Sequence, residues 1–204
     1  VITIHEVKSA EKKLINDIVT IHLNTFTGFF LSFMGRGFLN QMYQSYCNHN
    51  ESGLLVAKYN GTAIGFLAYS ADFSGLYKFM IKRKLPQFAW YSMGAFFRKP
   101  SAFMHIIRAF LKPGEVKRKE KYVELSSIGV DPTSKSKGVG SMLINELKRK
   151  VDFRKINYIT LETDVVDNEA AIRFYEKNGF IKERMYETEE GRKMYEYRFQ
   201  YGGI

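Results

Sequence analysis

Residues 125–143 run from an apolar stretch through a turn on Pro132 and a loop of lysine, serine and glycine into an amphipathic helix. That order leaves several backbone N–H groups at a helix N-terminus with the positive end of the helix dipole behind them, a setting suited to a phosphate or pyrophosphate. Gly138 and Gly140 would let the backbone approach an anion closely, because a side chain at either position would hold it off. Lys135 and Lys137 add mobile positive charge. The loop is neither the G-x-x-x-x-G-K-[ST] of nucleotide-hydrolysing proteins nor the G-x-G-x-x-G of dinucleotide folds. What it specifies is a phosphate cradle.

A second block follows thirty residues after Gly138, with Asn168, Ala171, Phe174, Tyr175, Gly179 and Phe180 at fixed spacing. Together with Val130, Pro132, Lys135, Gly138 and Gly140 it resembles the GNAT acetyltransferase superfamily, whose V-x-P-x-x-[QR]-x-x-G-x-G/A is followed by N-x-x-A-x-x-F-Y-x-x-x-G-F. The resemblance covers residues 121–200 closely and the first seventy only in pattern. It departs at Lys135, where Gln or Arg is usual, and at Ser136, where Gly is common. Lysine keeps the charge without the planar fork of arginine, which bears on affinity for the cofactor and not on its identity.

The resemblance implies an acetyl-CoA-dependent N-acetyltransferase in which a primary amine attacks the thioester directly in a ternary complex. It implies that the strand ending at Val130 splays from its neighbour, and that Ile128, Gly129 and Val130 offer backbone to the pantetheine arm and acetyl carbonyl. The pyrophosphate would meet Lys135, Ser136, Lys137, Gly138, Val139, Gly140 and Ser141. Asn168 and Tyr175 would flank the same cleft, with Tyr175 as general acid to the leaving thiolate, a phenol being a competent donor at neutral pH. For the base there are two carboxylates. A strand period of two puts Glu124, Ser126, Ile128 and Val130 on one face, which favours Glu124, with Ser126 beside it at the substrate. Glu162, near the end of the next strand, occupies a place resembling the carboxylate of the ribosomal-protein alanine acetyltransferases. Phe26 and Phe29 would border the acceptor, which stays open between an amino sugar, a small amine and a protein N-terminus. His5, His22, His49 and His105 lack metal-ligand spacing, so no metal is expected. His22 alone falls near the cleft, where a surface or capping role is expected of it.

The elements that must position these residues can be read from periodicity. Ile2–Val7 alternates as a strand, residues 10–24 and 36–49 have helical spacing, and Leu54–Tyr59 and Thr62–Tyr69 flank Asn60-Gly61 as a hairpin. Strands follow at Tyr122–Val130 and Ile156–Thr163, helices at Gly138–Val151 and Glu169–Asn178, and a closing hairpin at Phe180–Glu187 and Lys193–Gln200, turning on residues 189–192. The expected fold is α/β (α+β), one GNAT-like domain over residues 1–204 with a mixed, mostly antiparallel central sheet flanked by helices.

Residues 73–121 interrupt this order as a basic helical insert. They hold twelve Lys and Arg against Glu115 and Glu120, so the whole formal charge of +10 resides there. Pro86, Pro100 and Pro113 are expected to divide the segment into two or three short helices. Its aromatics and basic residues suit packing on the domain, a lid over an anionic substrate, an anionic membrane surface or a homodimer face. Nucleic acid is disfavoured because no recognised nucleic-acid module accompanies the charge. With a single cysteine, Cys47, no apolar run of membrane-spanning length and no signal-like start, the expected location is cytoplasmic, with membrane association open through the insert. The competing functions are a non-catalytic CoA-binding or membrane-docking protein, and a transferase of longer acyl groups.

Overall fold

The strands at the centre of the chain are apolar on both sides. In β2 (Ser52–Tyr59), Leu54 and Val56 face one way and Leu55 and Ala57 the other. In β3 (Thr62–Ser70), Phe66 and Ala68 oppose Ile64 and Leu67. A sheet of such strands must be covered by helices on both faces. The computed structural model describes residues 1–8, 11–98, 100, 120–134, 138–188 and 191–202, and it has this layering.

Seven strands form one sheet in the order β1-β2-β3-β4-β5-β7-β6. The others are β1 (Ile2–Glu6), β4 (Tyr122–Val130), β5 (Tyr158–Asp164), β6 (Ile181–Glu187) and β7 (Lys193–Phe199). All pairings are antiparallel except β4 with β5. The β2–β3 turn has Asn60 at φ 49° and Gly61 at φ 80°, the positive pair that a two-residue hairpin requires. Residues 189 and 190 of the closing turn lie outside the described residues.

One face carries α1 (Lys12–Thr25), the short α2 (Phe30–Met34), α3 (Arg36–Asn48) and α4 (Phe73–Arg98). Its core is built from Ile15, Ile18, Phe38, Leu39, Tyr43, Phe66 and Leu76. The other face carries α5 (Val139–Lys150) and α6 (Glu169–Lys177), with Leu67, Val123, Leu125, Leu143, Leu147 and Leu161 between.

Two expectations are corrected. Pro86 does not divide the chain, because α4 runs from residue 73 to 98 through it. Pro86 is exposed, so the carbonyl that loses its N–H partner can turn to water. The helix is pinned on both sides of the proline by buried Met80 and Phe88, the latter 4.8 Å from Phe38 of α3. Residues 101–119, with Pro113, lie outside the described residues.

The second correction concerns β4. Its ladder with β3 shifts between Ala68 and Tyr69, which face Ser127 and Leu125, so Ser126 is an extra residue in a β-bulge. A bulge reverses the phase of alternation. Glu124 therefore lies on the α1/α3 face while Ile128 and Val130 pack with α5, contrary to the single face expected from an unbroken period of two.

Candidate functional site

The β4–β5 ladder is short. Tyr122, Val123 and Glu124 pair with Tyr158, Ile159 and Thr160, and beyond them the strands separate. The gap opens a cleft of about 260 Å³ whose walls include Leu125, Ser126, Ser127 and Ile128 from β4 and Glu162, Thr163 and Asp164 from β5. Helix α1, the following loop and α2 close one side with His22, Phe26, Phe29 and Leu31, and α6 with its cap closes the other with Asn168, Ala171 and Tyr175. Of the residues expected from sequence, the fold brings Phe26, Phe29, Ser126, Ile128, Glu162, Asn168 and Tyr175 into one place.

The backbone of β4 is oriented for use at this edge. Asp131 N–H donates to Ile64 O of β3 at 2.8 Å. By alternation along the strand, the N–H groups of Ile128 and Val130 turn away from β3 toward the gap. Thr25 of α1 donates its hydroxyl to Val130 O at 3.1 Å and holds this end of β4 against the helix. Gly129 is required for packing, since a Cβ there would stand 2.7 Å from the Phe66 ring.

The cradle adjoins the cleft. Gly138 caps α5 in the left-handed region at φ 72°, and a Cβ at this position would meet nothing within 4 Å among the described residues. The first i→i−4 bond of α5 runs from Met142 N–H to Gly138 O, so the N–H groups of Val139, Gly140 and Ser141 precede the helical ladder. No acidic side chain sits in this first turn, and Lys148, Arg149 and Lys150 occupy the last, which leaves the positive end of the dipole uncompensated. Gly140 also has a packing reason. A Cβ there would stand 2.8 Å from the Phe174 ring, so its absence lets α5 approach α6. Lys135, Ser136 and Lys137 lie outside the described residues.

On α6, Tyr175 packs against Phe174, Phe180 and Tyr197, and burial pushes its phenol up to about 12. It is therefore a protonated donor at neutral pH. The Asn168 amide is engaged inward, donating to Thr163 Oγ1 at 2.6 Å and Asp164 O at 3.0 Å, and ties the start of α6 to the end of β5. Asp164 is held by a bidentate pair with Arg192 at 2.8 Å across the mouth. Glu162 lines the cleft and accepts a hydrogen bond from Tyr186. Glu124, the favoured base in sequence, sits on the last rung of the ladder with Tyr46 near it on the α1/α3 side, and the lining of the cleft does not include it. Burial pushes the Cys47 thiol up to about 11, which makes it a poor nucleophile.

His22 departs most from expectation. It is neither at the surface nor a cap, being 2% exposed and set between Phe26 and Phe66. Its Nδ1 lies 2.6 Å from the Tyr43 hydroxyl, its Nε2 has no hydrogen-bond partner among the described residues, and it lines the cleft. Burial holds its pKa down at about 4, so the ring is neutral at pH 7. Its spacing of four from Ile18 and seven from Ile15, both buried, is the available sequence signal. The Asp164–Arg192 clasp has none, because it joins the end of β5 to the residue before β7, remote in sequence.

The fold has close counterparts among solved structures. A GNAT-family protein from Desulfovibrio desulfuricans superposes with a TM-score of 0.65 at 15% identity, covering 98% of this chain and 99% of that one. The ribosomal-protein-S18-alanine N-acetyltransferase of Escherichia coli gives 0.59 at 15% identity over 98% and 94%. NAA60 of Arabidopsis thaliana, in complex with acetyl-CoA, gives 0.59 at 16% identity over the full length of both. No curated protein sequence matches the chain significantly. The sequence profile of the Acetyltransferase (GNAT) family matches residues 18–180, and with the splayed strands, the glycine-capped α5 and the cleft between them, the chain belongs to the GNAT acetyltransferase family.

Proposed function

We propose that the protein transfers an acetyl group from acetyl-CoA to a primary amine by direct attack in a ternary complex. The observation that carries this reading is the cleft itself, which has a protonated phenol, Tyr175, on one wall and a carboxylate, Glu162, on another. Amides of Val139, Gly140 and Ser141 with the cap Gly138 would hold the pyrophosphate, and the space that the described residues leave at Gly138 fits that use. The N–H groups of Ile128 and Val130 would hold the pantetheine arm and polarise the acetyl carbonyl. Glu162, directly or through water, would take the proton of the attacking ammonium. As the C–N bond forms and the C–S bond breaks, the Tyr175 hydroxyl would give its proton to the thiolate, and the second proton shed by the new amide nitrogen would restore the phenol. Phe26, Phe29 and Met194 supply an apolar flank for the body of the acceptor.

Among the structures similar in fold, the Escherichia coli enzyme is named for an alanine of a ribosomal protein, and NAA60 was solved with acetyl-CoA. Both support an amine acceptor and an acetyl donor here. The test is calorimetric titration with acetyl-CoA, free CoA and a long-chain acyl-CoA, followed by a screen of amines with wild type and Tyr175→Phe. Selective binding of acetyl-CoA, with turnover lost and binding kept in the variant, supports the proposal. Preference for the long chain redirects it to another acyl donor, and absence of binding to all three refutes it.

A further inference from the structure

The outer face of α4 gathers exposed apolar side chains into one stripe. Leu85, Ala89, Met93 and Phe97 recur every four residues, with Trp90 and Phe96 beside them, and all six are exposed. Trp90 is 70% and Phe97 73% exposed, and contiguous exposed apolar side chains of this kind mark interaction surfaces. The opposite side of the helix is already occupied, with Leu76, Met80, Phe88 and Ser92 buried. One and two turns before the apolar stripe, Lys78, Lys82 and Arg83 are also exposed. Across its 26 residues α4 has Lys78, Lys82, Arg83, Lys84 and Arg98 and no acidic residue.

We propose that this face docks on an anionic lipid surface, with the Trp90–Phe97 stripe entering the headgroup boundary and the lysines and arginine meeting lipid phosphates. The pairing of charge with exposed aromatics decides the occupant. A second copy would set one uniformly basic helix against another. A purely ionic partner would leave Trp90 and Phe97 in water. A negatively charged bilayer satisfies both halves of the face at once. Among the described residues no helix is long and apolar enough to cross a membrane, so the association would be peripheral.

Trp90 is the only tryptophan in the chain, so its emission reports on this face alone. The full chain is mixed with vesicles of phosphatidylcholine, or of phosphatidylcholine with about a third phosphatidylglycerol, and followed by Trp90 fluorescence and co-sedimentation. The expected result is a blue shift and sedimentation with the anionic vesicles alone, weakened by salt. Each basic residue at such a surface contributes roughly five-fold in partition, so Lys78→Gln with Lys82→Gln should weaken binding roughly 25-fold. Phe97→Ser should abolish insertion while leaving the circular dichroism spectrum and acetyl-CoA binding unchanged. Equal response to both vesicle types, no response to either, or an unchanged affinity in the double lysine variant would overturn the proposal. A shift that grows with protein concentration in the absence of lipid would also overturn it, in favour of self-association.

Discussion

A neutral histidine buried beside the cleft makes the stability of this protein depend on pH in a predictable window. An unfolded chain binds a proton at His22 below its ordinary pKa of 6.5, whereas the folded protein does so only below about 4. Between those values unfolding takes up a proton, so the contribution of His22 is fully present above pH 6.5 and is lost as pH falls toward 4. The gap of two to three units corresponds to roughly 3 kcal/mol, of which about 2.5 kcal/mol is lost between pH 7.5 and pH 4.5. The nearby ionisable groups are Tyr43 on α3, Glu162 and Asp164 on β5, Tyr175 on α6 and Arg192 before β7. The perturbation is His22→Gln, which keeps a polar group for the Tyr43 hydroxyl and removes the titration. Urea unfolding at half-unit steps from pH 7.5 to 4.5 gives the assay. The variant starts from a lower stability at pH 7.5, but its decline with acid should be shallower than that of wild type by about 2.5 kcal/mol over the range. Carboxylates held low by partners, such as Glu6 beside Lys150 and Tyr69, contribute equally to both proteins and cancel in the difference. Parallel curves for the two proteins would refute the argument.

Three further outcomes are expected. Glu162→Gln should lower amine acetylation by about a hundred-fold or more with acetyl-CoA affinity retained, whereas Glu124→Gln should leave turnover near wild type; steady-state kinetics with a responsive amine compares them. Gly140→Leu should destabilise by about 1–3 kcal/mol through collision with Phe174, as read by thermal unfolding. Glu196 is fully buried and paired with Arg184 and Arg198, so Glu196→Ala should cost about 3 kcal/mol. That value is at the lower end for a buried pair because Arg184 reaches solvent, and a denaturant titration at pH 7 measures it.

The parts of this fold that can be read in the chain are those with local causes. Apolar runs on β2 and β3, the Asn60-Gly61 turn and the two glycine-bearing blocks each declare themselves within a few residues, and they lead to the sheet, the cradle and Tyr175. What cannot be read depends on partners distant in sequence. The bulge at Ser126 arises from register against β3, and no feature of the Leu125–Ile128 stretch announces it; the face expected for Glu124 is the wrong one for that reason. The helix at Pro86 persists because α3 anchors it, a contact invisible from Pro86 alone. His22 is legible in principle, since it follows Ile15 and Ile18 on the buried stripe of α1, but histidine at such a place reads equally well as a polar residue at a helix end.

The three rungs between β4 and β5 have a mechanical meaning. Four strands lie on one side of that seam and three on the other, and no other ladder crosses it among the described residues. Past Glu124 and Thr160 the two edges no longer pair with each other, and the N–H groups of Ile128 and Val130 turn toward the cleft. On the proposed function, a ligand seated there would cross-link the two edges, so that filling the cleft and fastening the two halves of the sheet would be one event. At a hundred times its dissociation constant such a ligand would add about 2.7 kcal/mol to the stability of the fold. Hydrogen exchange should then slow along both strands of the seam together, and the stiffness of the whole sheet becomes a readout of occupancy.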